Sequence, residues 1–194
     1  MKEPFIHESS FVDDGAEIGQ GSKIWHFSHV MTRAHIGNNC TIGQNVFIAS
    51  DTIIGNWVKI QNNVSVYTGV ILEDDVFLGP SMVFTNVINP RSHIDRKDEI
   101  KTTLVRQGAT IGANATILCG LTLGRYVFVG AGSVVTRNMP DYALVYGNPA
   151  RIWGWMCKCG NRLEFIQKEN GEQAVCFKCG DKYEKIDSIV KPAP

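Results

Sequence analysis

The sequence predicts an all-β fold: a parallel β-helix of hexapeptide repeats with one extruded loop and a small zinc-ribbon-like C-terminal segment. Three observations predict it: an aliphatic residue at every sixth position, a single break in that register, and two cysteine pairs beyond residue 151.

The register comes first. Steps of six from Val12 land on Ile18, Ile24, Val30, Ile36, Ile42, Ile48, Ile54, Ile60, Val66, Leu72, Leu78 and Phe84. The frame resumes at Val105 and continues through Ile111, Ile117, Leu123, Val129 and Val135, so that 18 of 19 lead positions are Ile, Val or Leu. An amphipathic helix repeats its apolar residues every three or four positions, so this period excludes one. A hexad suits a short strand and a tight turn, with the lead and fifth residues inward, and three such sides close one triangular coil. Strands three hexads apart then stack at about 4.8 Å, and 19 hexads make a prism about 30 Å tall. Glycine holds the second position in eight hexads, from Gly19 to Gly130, where it either relieves crowding or supplies unusual dihedrals at the bend. A β-sandwich would instead show a period of two and irregular turn spacing.

The break falls between the hexads led by Phe84 and Val105. Its segment, Pro90 to Leu104, is charged and holds His93 and Arg96. Coils of a solenoid contact only their neighbours, so one can extrude a loop without disturbing the stack. A long excursion from a regular scaffold points to function.

The cysteine pairs follow the last hexads. Cys157-Lys-Cys159-Gly160 and Cys176-Phe-Lys-Cys179-Gly180 have the layout of two zinc knuckles, although the first is C-x-C where C-x-x-C is usual. Four thiolates make a closed, structural site; free thiols or a disulfide are the alternatives. Cys40 occupies an inward slot, and Cys119 has no visible partner base. The expected domains are therefore residues 1–151 and 152–194, with the loop at 90–104.

Composition narrows the partners. Lys plus Arg equals Asp plus Glu at 19 each, so no global field attracts nucleic acid. The start carries no secretory leader and no run reaches a membrane span, so a cytoplasmic protein without membrane insertion is expected.

Val129-Gly-Ala-Gly-Ser-Val-Val-Thr136 and Tyr142-Ala-Leu-Val-Tyr-Gly-Asn-Pro-Ala-Arg151, together with the hexads, resemble the left-handed β-helix acyltransferases. The stretches Ile24-Trp-His-Phe-Ser-His29, Lys59-Ile-Gln-Asn-Asn-Val-Ser65 and Phe84-Thr-Asn-Val-Ile-Asn-Pro-Arg91 are similar to a subgroup within them. Its members acetylate the 3-amino group of UDP-2-acetamido-3-amino-2,3-dideoxyglucuronate, for bacterial surface polysaccharide. The resemblance implies left-handed coils, acetyl-coenzyme A as co-substrate, and a homotrimer with coenzyme A in the grooves between subunits. It places the cofactor against Gly112, Ala113, Gly130, Ala131, Ser133, Asn148 and Pro149, with Arg137 and Arg151 for its phosphates.

Acetyl transfer to an amine needs a neutral amine aimed at the thioester and donors for the developing oxyanion. Thr32, Ser50, Thr68 and Asn86 fall in one column at three-hexad spacing that ends at the loop, which makes Asn86 a candidate for the reacting centre. His26, Gln44 and Asn62 form a second column, and His26 or His29 is a candidate base or sugar-nucleotide ligand. Arg33, Lys59, Gln61, Asn62, Thr68, Arg91 and His93 are the substrate-binding candidates. A zinc carbonic anhydrase on the same prism would need converging histidines, yet no two of the five stand three hexads apart. A non-catalytic scaffold, or another amino-sugar or hydroxyl acceptor, are the remaining alternatives.

Overall fold

The computed structural model describes residues 2–168 and 171–193. Two-residue strands recur every six positions and form three parallel sheets joined at three corners. The first sheet stacks Phe5–Ile6, Lys23–Ile24, Thr41–Ile42, Lys59–Ile60, Phe77–Leu78, Thr110–Ile111 and Phe128–Val129. The second runs from Phe11–Val12 through His29–Val30, Phe47–Ile48, Ser65–Val66 and Val83–Phe84 to Val134–Val135. The third runs from Glu17–Ile18 to Thr122–Leu123. Partners stand three hexads apart, as in Lys23 with Thr41 and His29 with Phe47.

Lead residues from Ile24 to Val135 are buried, and the register begins one hexad earlier than expected, because Ile6 pairs with Ile24. Ile6 is 41% exposed for want of a coil beneath it. Several inward fifth positions are polar and find local partners: the Ser22 hydroxyl donates to Gly37 O (2.7 Å), and Ser28 to Gly43 O (2.9 Å). That satisfaction lets them sit in a core without the cost of an unpaired hydroxyl.

The structure separates the two roles considered for glycine. Second-position glycines do not have positive φ; they relieve crowding. A Cβ on Gly37 would lie 2.6 Å from the backbone of Gly55, and one on Gly19 would lie 2.4 Å from Gly37 C. The left-handed residue is the fourth of each hexad, from Gly15 to Ser81 and again from Gly108 to Gly132. Asn39, Asn45 and Asn63 suit that conformation; Phe27, Arg33, Trp57 and Tyr126 adopt it as well, at a cost the stacked neighbours impose.

The loop is shorter than its sequence segment. Val70 pairs with Thr103, far beyond the usual three hexads, so the strand Thr103–Val105 begins inside the stretch read as loop, at Thr103 and Leu104. The excursion closes lower, where Lys101 N donates to Asn86 O at 3.0 Å. It carries a 3-10 turn, Lys97–Glu99, and an Arg91–Ile94 bridge.

The last coil is short, since Val129 pairs with Val145 and not with Gly147, which stands three hexads on. Strand Ala143–Gly147 then turns back antiparallel into Ala150–Met156, which runs through the expected boundary at 151, covers the edge of the last parallel strand and is itself paired antiparallel with Arg162–Leu163. Beyond it, Ile166–Lys168, Gly171–Val175, Lys182–Ile186 and Ile189–Pro192 form a separate antiparallel sheet. Among the described residues, no helix is long and apolar enough to cross a membrane.

Candidate functional site

The corner between the first and second sheets gathers most of the candidates. From the last coil downward its left-handed positions are Gly132, Asn114, Ser81, Asn63, Asn45 and Phe27. Five steps of about 4.8 Å separate the ends, an edge of about 24 Å.

At the upper end lie Ala113, Ala131 and the hairpin tip Gly147–Ala150, with Asn148, Pro149 and Arg151 all exposed. Gly132 has open space where a Cβ would be. Gly112 and Gly130 serve the stack: a Cβ on them would meet Ala131 N at 2.5 Å and Tyr146 Cβ at 2.9 Å. Ser133 takes part in the packing as well. Its side chain is buried, and its hydroxyl donates to Gly130 O at 2.7 Å, so only its backbone can face a groove. Arg137, exposed, follows strand Val134–Val135 and sits one corner away.

At the lower end the histidines divide. His29 Nε2 lies 2.9 Å from Asp13 Oδ1, and its ring meets Phe47 edge-on at 5.8 Å. The carboxylate fixes the ring and leaves Nδ1 as the other polar atom. His29 opens on a recess of about 320 Å³ shared with Phe27, Asn45, Phe47, Asn63 and Ser65. His26 instead packs on His7 (ring centroids 3.5 Å apart) between Trp25 and Phe27. Two histidines do meet, therefore, one position off the three-hexad column. Among the described residues no third ligand joins them, and the one cluster of three or more ligating groups is made of cysteines.

Several substrate candidates are engaged within the chain. Arg33 makes a bidentate pair with Asp51 (2.7 and 2.9 Å). The Thr68 hydroxyl donates to Ser50 O at 3.0 Å, and Asn62 Oδ1 accepts from Gln44 N at 2.9 Å. Lys59 points outward from the first sheet and Gln61 is half-buried.

Asn86 lies at the opposite corner of the second sheet, three coils above His29. It lines a cavity of about 230 Å³ with Val87, Pro90, Arg91, Ile94, Arg96, Lys97 and Ile100. Arg91 donates to Pro90 O and Arg96 to Glu99 (2.6 Å), while His93 is exposed outside that lining.

The four C-terminal sulfurs lie within 4.8 Å of one another. Asn161 Nδ2 donates to Cys159 Sγ at 3.3 Å and holds that thiol down at about 6. Cys40 and Cys119 are buried; desolvation pushes the Cys40 thiol up.

Parts of the solenoid match known repeat families. Residues 4–50 and 102–137 match the bacterial transferase hexapeptide (six repeats), and residues 33–68 match the hexapeptide repeat of succinyl-transferase. The chain is a hexapeptide-repeat parallel β-helix, and its repeats are similar to those of bacterial transferases. It is 56% identical over 88 residues to the dTDP-3-amino-3,6-dideoxy-alpha-D-galactopyranose 3-N-acetyltransferase of Aneurinibacillus thermoaerophilus, a match over 45% of this chain and 43% of that one. The match thus spans less than half of that relative. Among solved structures it is similar to a mutant GDP-perosamine N-acetyl transferase of Caulobacter crescentus in complex with CoA and GDP-perosamine. That likeness has 25% identity and a TM-score of 0.51, and covers 79% of this chain and 57% of the other. The UDP-N-acetylglucosamine acyltransferase of Bacteroides fragilis shares the fold, at 20% identity and a TM-score of 0.67 over 79% and 62% of the two chains.

Proposed function

We propose that this protein transfers the acetyl group of acetyl-coenzyme A to the amino group of a nucleotide-linked amino sugar. The observation that carries the reading is the 56% identity over 88 residues to an amino-sugar 3-N-acetyltransferase. The first corner agrees with it. Small exposed residues stand at its upper end, where a pantetheine arm needs close backbone approach, and a His–Asp pair stands at its lower end.

In this reading the amine nitrogen bonds to the thioester carbon, and the tetrahedral intermediate expels the coenzyme A thiolate. His29 takes the proton that the amine loses, held in orientation by Asp13, and gives it up to the departing thiolate, so that coenzyme A leaves as thiol and the imidazole is neutral again. Asn86 donates from its carboxamide to orient the acceptor or the carbonyl; an amide is no base. Within one chain, His29 and Asn86 are about 14 Å apart along the solenoid axis alone, and they stand at opposite corners of the second sheet. Both serve one centre only if neighbouring subunits contribute them, which favours a homotrimer of left-handed prisms with coenzyme A between subunits. Beside Asn86, Arg96 and Lys97 are paired with Glu99 and Asp95, while Arg91 donates to a backbone carbonyl and carries the case for an acidic acceptor, for which UDP-2-acetamido-3-amino-2,3-dideoxyglucuronate is the proposed one. The four-cysteine cluster is read as a structural zinc centre, since four thiolates leave no position open for substrate.

The test is thiol release from acetyl-coenzyme A with a panel of UDP-, dTDP- and GDP-linked amino sugars, with product masses. Turnover on the uronate with a one-acetyl gain is expected. Turnover confined to a neutral amino sugar would overturn the acidic acceptor, and silence across the panel without coenzyme A binding would overturn the transferase. Asn86→Ala is expected to lower turnover about 100-fold while donor affinity stays within twofold; unchanged turnover removes Asn86 from the centre.

A further inference from the structure

We infer that a metal held by Cys157, Cys159, Cys176 and Cys179 is the clamp that closes the C-terminal end of the solenoid. The inference rests on reading the cluster as a metal centre and adds what that centre is for.

The donor set fits a thiophilic divalent ion. Cys157 and Cys179 sulfurs are 3.4 Å apart, and those of Cys159 and Cys176 are 3.5 Å apart. The four fall at two turns of the same design. Cys157 N donates to Asn161 O and Gly160 N to Cys157 O; Cys176 N donates to Asp181 O and Gly180 N to Cys176 O. Gly160 and Gly180 both have positive φ, +86° and +78°, so each turn needs its glycine. N–H groups already point at sulfur, from Asn161 Nδ2 to Cys159 (3.3 Å) and from Cys159 N to Cys157 (3.5 Å). Such donors steady thiolates around a metal.

The division of the ligands gives the role. Cys157 and Cys159 directly follow strand Ala150–Met156, which covers the edge left by the last parallel strand, Ala143–Gly147. Cys176 and Cys179 belong to the separate antiparallel sheet, which shares no strand with the solenoid. One ion bound to all four therefore joins the edge-covering strand to that sheet.

The apolar contact that also joins them is small: Trp155, Cys157 and Leu163 share one buried cluster with Ala174, Cys176, Tyr183 and Val190. The buried Tyr183 accepts from Lys158 N at 3.1 Å and meets Tyr142 edge-on at 5.3 Å, and Lys158 pairs with Asp181 at 3.2 Å. The sheet itself buries Ala174, Cys176, Tyr183 and Val190, while Val175, Phe177, Ile186 and Ile189 are 60–82% exposed. So thin a core needs a staple, and an uncovered edge strand pairs readily with other chains.

The test uses the full chain. Metal analysis after purification without chelator, and titration of the reduced apoprotein with Co²⁺, should give about one ion per chain and the absorption bands of a tetrahedral thiolate site. Hydrogen exchange is then compared between the Zn²⁺-loaded and chelator-treated forms. Removal should strip protection from 157–168, 171–193 and Ala150–Met156, leave the coils below Leu123 protected, and be reversed by Zn²⁺. Cys40→Ala with Cys119→Ala should change nothing. Failure of the reduced chain to bind either ion overturns the metal centre. One bound ion whose removal leaves Ala150–Met156 protected keeps the centre and overturns the clamp.

Discussion

Replacing His29 by alanine is expected to lower kcat by about 10²- to 10⁴-fold, the range for loss of a positioned general base. Coenzyme A affinity should hold, because the ring sits at the lower end of the first corner, away from Ala113, Ala131 and the hairpin tip. Asp13→Asn should fall between the parent and His29→Ala, since the 2.9 Å contact orients the imidazole without touching the acceptor. Steady-state kinetics with the best acceptor, alongside calorimetry with coenzyme A, checks both. A loss smaller than about tenfold in His29→Ala would mean that the proton leaves by another route. The parallel variant His26→Ala should cost far less turnover, because that ring is stacked on His7 among aromatic side chains.

The second large effect concerns the scaffold. Gly37→Ala places a methyl group 2.6 Å from the carbonyl carbon of Gly55, backbone that cannot rotate away. Overpacking of this kind costs about 3 kcal/mol, which lowers Tm by about 6–12 °C in a chain of this size. Gly132→Ala is the control. It meets nothing within 4 Å and bears only the left-handed backbone penalty, about 1–2 kcal/mol. Thermal unfolding of the two variants separates the roles: equal shifts would show that contact between coils is not what second-position glycines provide.

The architecture was legible because its signal is one-dimensional. Lead residues recur at six, the strands they define pair three hexads on, and burial of Ile24 through Val135 follows from that arithmetic. Ile6 is not legible from the period, because a single hexad ahead of Val12 carries no statistical weight. The left-handed fourth position was hidden for a physical reason. Phe27, Arg33, Trp57 and Tyr126 are poor left-handed residues, tolerated where the neighbouring coils impose the turn. The shortened last coil and the closure of the loop at Lys101 depend on hydrogen bonds that no periodicity announces.

For the site, the residues on a strict three-hexad column could be placed, and those off it could not. Arg33 and Asp51 are opposite charges on one such column, so their pairing was available to the same reading that offered Arg33 to substrate. Asp13 lies short of the column of His29 and reaches it diagonally, and His7 lies one position off that of His26. Side-chain reach across coils decides such contacts. Ser133 was read from its small size, yet its fifth position already predicted an inward side chain. The cysteines were the most legible feature, because knuckle spacing is local and survives whatever the intervening chain does.

The closure of the loop through the Asn86–Lys101 hydrogen bond has a bearing on descent. A segment that leaves and rejoins the same corner is a cassette: its length and charge can drift while the coils above and below keep their register. If the proposed acceptor site holds, acceptor preference can diverge between lineages at little cost to foldability, and transplanting 87–100 between related solenoids is expected to exchange that preference as a unit.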